Sequence, residues 1–229
     1  MILVKKVYDN FIYSPPKTNL NKVYQDNDLV IIEKPSGLLS TPGRLPEHKD
    51  SVLTRCQEEF SHIQLVHRLD MATSGLLILA MNKAAERSLK TQFSNRTVKK
   101  VYFAEVNGVM QNNFGQINEP LICDWPNRPK QKICYKYGKP SITNFEVIKK
   151  FDKTSLVKLT PITGRSHQLR VHMMSIGHPI LGDRFYSEDQ NAQDMHLHAF
   201  SLDFYHPLTE EKIKVVSSCP FHKSLCISD

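Results

Sequence analysis

The chain has 229 residues, of which 40% are hydrophobic and 23% charged, which is ordinary composition for one full domain or two modest ones. These proportions exclude collagen-like, disordered and disulfide-scaffold proteins. The formal net charge of +7 favours polyanionic partners, although a solvated cationic surface explains the charge equally well.

The cysteines and the apolar stretches predict where the protein works. The five cysteines are odd in number and widely spread, which is poor material for a disulfide framework and fits a reducing cytoplasm. No secretory signal is visible, and the longest apolar stretch, residues 75–81, is far below the roughly 20 residues of a membrane helix. We expect a soluble, cytoplasmic monomer without a membrane partner.

In chain order, residues 1–20 contain Pro15 and Pro16 and predict an irregular arm. Short apolar runs rich in Val, Ile and Leu then predict strands over 29–32, 76–80, 101–106, 155–159, 198–204 and 213–216.

Three helices are predicted between these strands. One covers 51–60 after Asp50 as N-cap, and a second covers 83–93 after Asn82. A third follows Thr163 and ends at Gly177. Strands and helices alternate irregularly, so the pattern indicates an α+β fold with a mixed or antiparallel sheet.

A polar segment, VHRLDMATSG, leads directly into the strand predicted at 76–80. Its polar residues His67, Arg68 and Asp70 therefore belong to a loop fixed by a rigid element, a common way to hold a catalytic side chain. The alternative is that Asp70 is an ordinary turn or N-cap carboxylate.

The third predicted helix carries further polar residues. Arg165 falls in its first turn, where the helix dipole disfavours a cation, so a carboxylate or phosphate neighbour is expected. Gln168 and His172 share the face of Arg165, which we interpret as functional, while the apolar stripe lies on another side. For His167 and His172 the alternative is a half-buried histidine hydrogen-bonded to backbone.

Aromatic and basic residues alternate over 121–139. This interleaving can stack bases and bind a phosphate backbone, although a solvated basic loop is the alternative. The residues are Trp125, Arg128, Lys130, Lys132, Tyr135, Lys136, Tyr137 and Lys139.

Four segments together resemble the RluA family of RNA pseudouridine synthases, in the order which that family has. They are KPSG with LLSTPG, then HRLDMATSG, KKVY and TGRSHQLRVH. The resemblance runs from about residue 21 to 216. It implies the pseudouridine synthase fold, with a mixed, mainly antiparallel central sheet flanked by helices and loops and a catalytic cleft across the sheet.

The resemblance also implies residue roles. Asp70 matches the catalytic aspartate, Tyr102 the active-site tyrosine, and Arg165 the basic partner of the aspartate. Arg68 matches a residue that fills the space left by an extruded nucleotide, and Lys34 and Pro35 match a block that we interpret as mainly structural.

The implied reaction, uridine to pseudouridine, has no net redox change, so its stoichiometry requires no cofactor. The carboxylate could trap the sugar carbon, add to the base or accept a sugar proton, and the sequence does not choose among these routes. Lys99 and Lys100, beside Tyr102, are expected to meet phosphates.

Stretches 45–52, 121–135 and 177–187 resemble the compact branch of the family, which acts on tRNA and large-subunit rRNA. The expected substrates are therefore looped regions of tRNA, in the anticodon stem-loop, and of 23S rRNA, because loops lower the cost of flipping a base. We expect one catalytic domain over 21–229 and no separate S4-type RNA-binding domain.

Two other hypotheses remain. A non-catalytic RNA-binding or remodelling protein could use the same basic surface. A metal site could involve Cys219, His222 and Cys226 with His196 and His198, although this order is a weak zinc signature.

Overall fold

A computed structural model describes residues 12–188 and 194–222. The strands are β1 Asn21–Gln25, β2 Leu29–Lys34, β3 Gln64–Leu65, β4 Ser74–Ala80, β5 Lys99–Asn107, β6 Phe114–Asn118, β7 Leu121–Cys123, β8 Gln131–Ile133, β9 Ile142–Lys150, β10 Thr154–Pro161, β11 Leu197–Tyr205 and β12 Lys212–Val216. The α-helices are α1 Val52–Glu59, α2 Lys83–Ser94 and α3 Gln168–Ser175, with single 3-10 turns at Pro46–His48 and Trp125–Asn127.

Within the described residues, ten strands form one sheet and β7–β8 form a separate hairpin. The main order is β1-β2-β4-β11-β5-β10-β9-β6, with β12 beside β11 and β3 beside β4. β4 and β11 run parallel and all other pairs antiparallel. The predicted α+β class with a mixed, mainly antiparallel sheet is confirmed.

Both faces of the sheet are covered around β2 and β4. Alternate side chains of these strands pack on one side with Ala85 and Leu89 of α2 and on the other with Val52 and Cys56 of α1. Every residue of β4 is buried, so this strand is a rigid support for the loop that precedes it.

The helix ends refine the predictions. α2 follows its predicted cap, because Asn82 Oδ1 accepts the Ala85 N–H at 2.9 Å. α1 is capped by Ser51 rather than Asp50, because the Asp50 carboxylate instead binds Arg55 at 2.7 Å. α3 ends before Gly177, which has φ +84°, as predicted.

α3 begins at Gln168, four residues later than the first residue of the predicted helix. The preceding His167 has φ 53° and ψ 17°, the left-handed region, so the chain turns sharply before the helix starts. Arg165 therefore lies in a loop and not in the first helical turn, which corrects the prediction.

The described part of the arm, residues 12–20, is irregular, as predicted, and packs against the domain. The hydroxyl of Tyr13 donates to Asp50 O and accepts from Leu39 N, and Arg55 donates to Pro16 O and Thr18 O. Among the described helices, none is both long and apolar enough to cross a bilayer.

Candidate active site

A cleft of about 490 Å³ opens across the middle of the sheet. This volume is in the range of pockets that hold small ligands. Its walls come from the loop before β4, the turn after α2, strand β5 and the segment from the end of β10 into α3. The three polar sequence segments HRLD, KKVY and TGRSHQLR thus meet in one place.

The loop that carries Asp70 is held on both sides. Lys34, which is fully buried, donates through Nζ to Met71 O at 2.8 Å and Leu38 O at 2.7 Å. Ser40 Oγ donates to Leu69 O at 2.7 Å and accepts the Leu69 N–H at 3.1 Å. Burial lowers the pKa of Lys34 to about 7, against the opposing effect of Asp70. These contacts agree with a structural role for Lys34.

Arg170, and not Arg165, is the basic partner of Asp70. Its Nη1 donates to Asp70 Oδ2 at 3.2 Å, while Nε and Nη2 donate to the two oxygens of Asp183 at 2.7 Å each. The side chains of Arg170 and Asp183 are 5% and 0% exposed. Burial alone would lower the pKa of Arg170, but the bonds to Asp183 and the charge of Asp70 raise it overall. The arginine therefore stays charged.

The arginine in the first turn of α3, where the helix dipole favours an anionic neighbour, is Arg170 and not Arg165. Because side chains of a helix lean toward its N-terminus, Arg170 reaches back from the first turn of α3 to Asp70. Arg165 Nε instead donates to Pro140 O at 3.4 Å, and the predicted Asp70–Arg165 pair is wrong. Arg165 still lines the cleft.

Gln168 and His172 are both buried, so they do not form the exposed functional face that the sequence predicted. Gln168 nevertheless lines the cleft, whereas His172 does not. Gln168 Nε2 donates to Ile142 O at 3.0 Å, and His172 lies within hydrogen-bond distance of Thr143 Oγ1 and Glu119 O. His172 is therefore a histidine hydrogen-bonded to backbone, as the alternative interpretation predicted.

Tyr102 lies on β5 and lines the cleft with Asp70. Its ring packs partly on the core, beside the clusters that contain Leu159 and Leu77. Burial, and then the nearby charge of Asp70, raise the pKa of Tyr102, so its phenol is neutral. It offers an aromatic wall and a hydroxyl that can donate or accept a proton.

The cleft is lined by several cations and one carboxylate. Arg68 and Lys100, both predicted RNA contacts, line it, whereas Lys99 is exposed and does not. Burial and the charge of Arg96 lower the pKa of Lys100. Arg96 was not anticipated, because it lies in the turn after α2, outside the recognised segments. Asp70 is the one acidic residue that lines the cleft within the described chain.

The predicted contacts Trp125, Arg128, Lys130 and Lys132 lie on or beside the β7–β8 hairpin. Trp125 is 65% exposed, and the Arg128 guanidinium lies 3.6 Å from its ring centroid. Lys130 Nζ is 6.0 Å from the Phe185 ring, and Lys132 pairs with Asp124 at 3.0 Å. The hairpin thus presents an exposed stacked pair, and its Lys132 is partly neutralised.

The proposed cysteine–histidine metal cluster does not form among the described residues, and Cys226 lies outside them. His198 lies instead between Ser74 and Ser217, and His196 lies beside Glu105. The described residues contain one group with metal-like spacing, Asp26, Asp28 and His206. His206 Nδ1 accepts the backbone N–H groups of residues 208 and 209, which leaves Nε2 protonated toward Asp26 and unable to bind a metal.

Comparison with known proteins agrees with this geometry. Residues 28–175 match the family model described as RNA pseudouridylate synthase. The chain is 50% identical over 219 residues to the dual-specificity RNA pseudouridine synthase RluA of Vibrio parahaemolyticus, covering 92% of this chain and 88% of that relative. The RluA of Escherichia coli K12 is 55% identical over 200 residues, covering 85% and 91%.

A solved structure is also similar. Human RNA Pseudouridylate Synthase Domain Containing 1 superimposes with a TM-score of 0.77 at 31% identity, covering 93% of this chain and 89% of that chain.

Proposed function

The chain belongs to the RNA pseudouridylate synthase family, and from this premise we propose that Asp70 is the carboxylate with which it isomerises uridine in looped RNA. The observation that carries the proposal is the site itself, in which a buried arginine holds one carboxylate and the other charged residues that line the cleft are all cations. Tyr102 and Arg170 complete the proposed catalytic centre.

The reaction breaks the bond between N1 of uracil and C1′ of ribose and joins C5 to the same sugar carbon. The hydrogen on C5 leaves as a proton, and N1 gains one, so atoms and electrons balance without an oxidant. A carboxylate can trap C1′, add to the base or take a sugar proton. All three routes need the Asp70 carboxylate aimed at the reacting nucleotide, and the contact with Arg170 supplies that orientation.

The neutral phenol and ring of Tyr102 suit the base rather than the sugar. An aromatic face beside the carboxylate gives the uracil a surface on which to turn after the glycosidic bond breaks. The hydroxyl is available to pass a proton to or from the ring nitrogen or C5.

The cations around the cleft suit a flipped nucleotide. A stacked base cannot present C1′ and C5 to a cleft, so it has to leave its stack, and loops reduce that cost of a few kcal/mol. Arg68 is exposed at the cleft beside Asp70, and we propose that it fills the vacated space. Lys100, Arg96 and Arg165 also line the cleft, and in this proposal they hold the flanking phosphates.

We further propose that the substrates are the anticodon stem-loop of tRNA and a loop of 23S rRNA. The support is the name of the relatives, dual-specificity RNA pseudouridine synthases, and their match over most of both chains. Pseudouridine mapping in total RNA from a strain lacking this protein tests the proposal. Wild-type protein is expected to restore one or more sites in each RNA class, and sites in one class alone would reject dual specificity.

The other candidate, a non-catalytic RNA-binding protein, needs no carboxylate in a cationic cleft, because a carboxylate repels phosphate. The placement of Asp70 against Arg170 therefore favours catalysis.

We also propose that residues 21–229 act as one catalytic domain and that the enzyme works as a cytoplasmic monomer. One chain supplies all three proposed catalytic side chains, and the cysteines of the described residues are unpaired, which fits a reducing compartment.

A further inference from the structure

A series of hydrogen bonds connects the β7–β8 hairpin to the cleft. The backbone N–H of Gln131 donates to Tyr186 Oη at 2.7 Å, and the same oxygen lies 2.7 Å from Nδ1 of His167. The other ring nitrogen of His167, Nε2, lies 3.9 Å from Asp70 Oδ2. Two side chains thus link the backbone of the hairpin to the proposed catalytic carboxylate.

The donors fix the tautomer of His167. A backbone N–H can only donate, so Tyr186 Oη accepts from Gln131 and keeps its own hydrogen for another partner. Among the described contacts, His167 Nδ1 is the acceptor within reach. The reverse arrangement would leave the hydroxyl hydrogen without an acceptor and would turn a bare Nε2 lone pair toward a carboxylate. His167 therefore carries its hydrogen on Nε2, facing Asp70.

The backbone of His167 is strained in a way that serves this placement. His167 has φ 53°, in the left-handed region that residues other than glycine rarely adopt. Its side chain does not cap α3. Its ring packs at 22° to that of Phe185, with centroids 5.8 Å apart. Such conformations persist where the surroundings fix them, and they cluster at functional sites.

We propose that His167 is a positioning residue for Asp70, to which it presents Nε2–H, and that Tyr186 fixes this tautomer. The inference rests on the proposed function. At 3.9 Å the contact is longer than a hydrogen bond, and the proposal requires it to shorten to one when substrate binds, as catalytic contacts commonly do. Gln131 belongs to β8, so the hairpin that is predicted to bind RNA also orients the Tyr186 hydroxyl that fixes the tautomer of His167.

The proposal gives the reaction a distinctive pH dependence. The groups facing His167 are Asp70 and Arg68 from the loop, Arg170 from α3, and Asp183 and Tyr186 from the turn after it. Burial lowers the pKa of His167, Asp70 and Asp183 oppose this effect, and the two arginines add to it.

The Tyr186 hydroxyl can donate to His167 Nδ1 only while the imidazole is neutral. Removal of this hydroxyl is therefore expected to raise the pKa of His167. A protonated ring would draw Asp70 away from Arg170, and activity is therefore lost on the acid side.

The test compares purified variants by release of tritium from RNA labelled at uridine C5, using unmodified total RNA as substrate. Tyr186→Phe is expected to lower kcat about tenfold, to leave KM within twofold, and to move the acid limb of the kcat profile to higher pH. Tyr24→Phe removes a hydroxyl of β1 that donates to Asp26 in the following turn, and this variant is expected to match wild type.

Two substitutions at His167 separate positioning from packing. Glutamine places an amide nitrogen near the position of Nε2, and asparagine near that of Nδ1. His167→Gln is expected to retain at least tenfold more activity than His167→Asn. Adding Tyr186→Phe to His167→Gln is expected to change kcat less than twofold, because no tautomer remains to be fixed.

Equal activity of the two His167 variants would overturn the proposal, as would an unmoved acid limb in folded Tyr186→Phe. A rise in KM alone for Tyr186→Phe would also overturn it, since that result assigns the tyrosine to RNA binding. Wild-type turnover in the same assay tests the proposed function separately. Urea unfolding of each variant identifies loss through misfolding, in which case the comparison of His167→Gln with His167→Asn decides.

Discussion

At the scale of single residues, Arg165 and Arg170 come from the same segment, TGRSHQLRVH, but make different contacts. Arg170 is locked by two hydrogen bonds to a buried Asp183 before it meets Asp70, whereas Arg165 lies before α3 and touches a backbone carbonyl. A rigid planar fork fixes the direction of a carboxylate, which a lysine does not do. Arg170 is therefore the arginine that orients Asp70, and we propose that Arg165 contacts the substrate.

Arg170→Lys is expected to lower kcat about a hundredfold, because the charge remains but the fork that aims Asp70 is lost. Arg165→Ala is expected mainly to raise KM, because it removes a cation that lines the cleft without contact to Asp70. Steady-state kinetics on unmodified tRNA measure both effects. The reverse pattern, with kcat lost at Arg165 and KM at Arg170, would contradict the assignment.

At the scale of elements, the apolar periodicity predicted the strands that form the centre of the sheet. Elements such as β9, with the sequence ITNFEVIKK, were missed because they alternate polar and apolar residues weakly and lie toward an edge. The start of α3 was misplaced because the left-handed turn at His167 has no glycine to mark it.

The same displacement explains the error at Arg165. Helix periodicity counted from residue 164 groups Arg165 with residues of α3, although Arg165 lies in the loop before that helix. In addition, no pattern of neighbouring residues in the sequence indicates a contact such as Arg170–Asp183. The motif blocks identified Asp70 and Tyr102 as neighbours, but the buried links through Lys34 and Tyr186 depend on long-range packing.

The β7–β8 hairpin supports a prediction at this scale. Arg128→Ala is expected to weaken RNA binding and to lower the slope of log Kd against log salt by about 1, because one phosphate contact is lost. Trp125→Ala is expected to weaken binding by about 1–3 kcal/mol with little change of slope, because stacking releases no counterions.

Filter binding over a salt series measures both quantities. Lys22→Ala, a lysine of β1 outside the cleft and the hairpin, is the matched charge control and should leave the slope unchanged. An Arg128→Ala slope equal to that of the control would reject the hairpin as a phosphate contact.

At the scale of the whole molecule, the half-buried His67 and the buried His198 make stability depend on pH. His67 Nε2 accepts the Ile78 N–H at 3.0 Å, and His198 lies between two serine hydroxyls. Burial lowers their pKa values to about 3 and about 4, from 6.5 in the unfolded chain. The unfolded state therefore binds more protons below pH 6.5, and stability falls as pH decreases toward 4.

The free energy of unfolding is expected to fall by roughly 2–4 kcal/mol between pH 7 and pH 5, from these two groups together. Urea unfolding at both pH values measures the change. His67→Gln keeps an acceptor for Ile78 but does not titrate, so about half of the part of the pH dependence that comes from His67 and His198 should disappear. A wild-type stability that is flat over this range would contradict the neutral state of the two rings.

We propose that Asp70 performs the isomerisation within a site that binds RNA through other residues. The direct test of this proposal is Asp70→Asn, measured on unmodified RNA for both tritium release from uridine C5 and binding affinity. We predict loss of turnover by at least a thousandfold, with Kd within about threefold of wild type, because the substitution keeps the shape of the side chain but removes its charge and one acceptor oxygen. Turnover equal to wild type in Asp70→Asn would contradict the account.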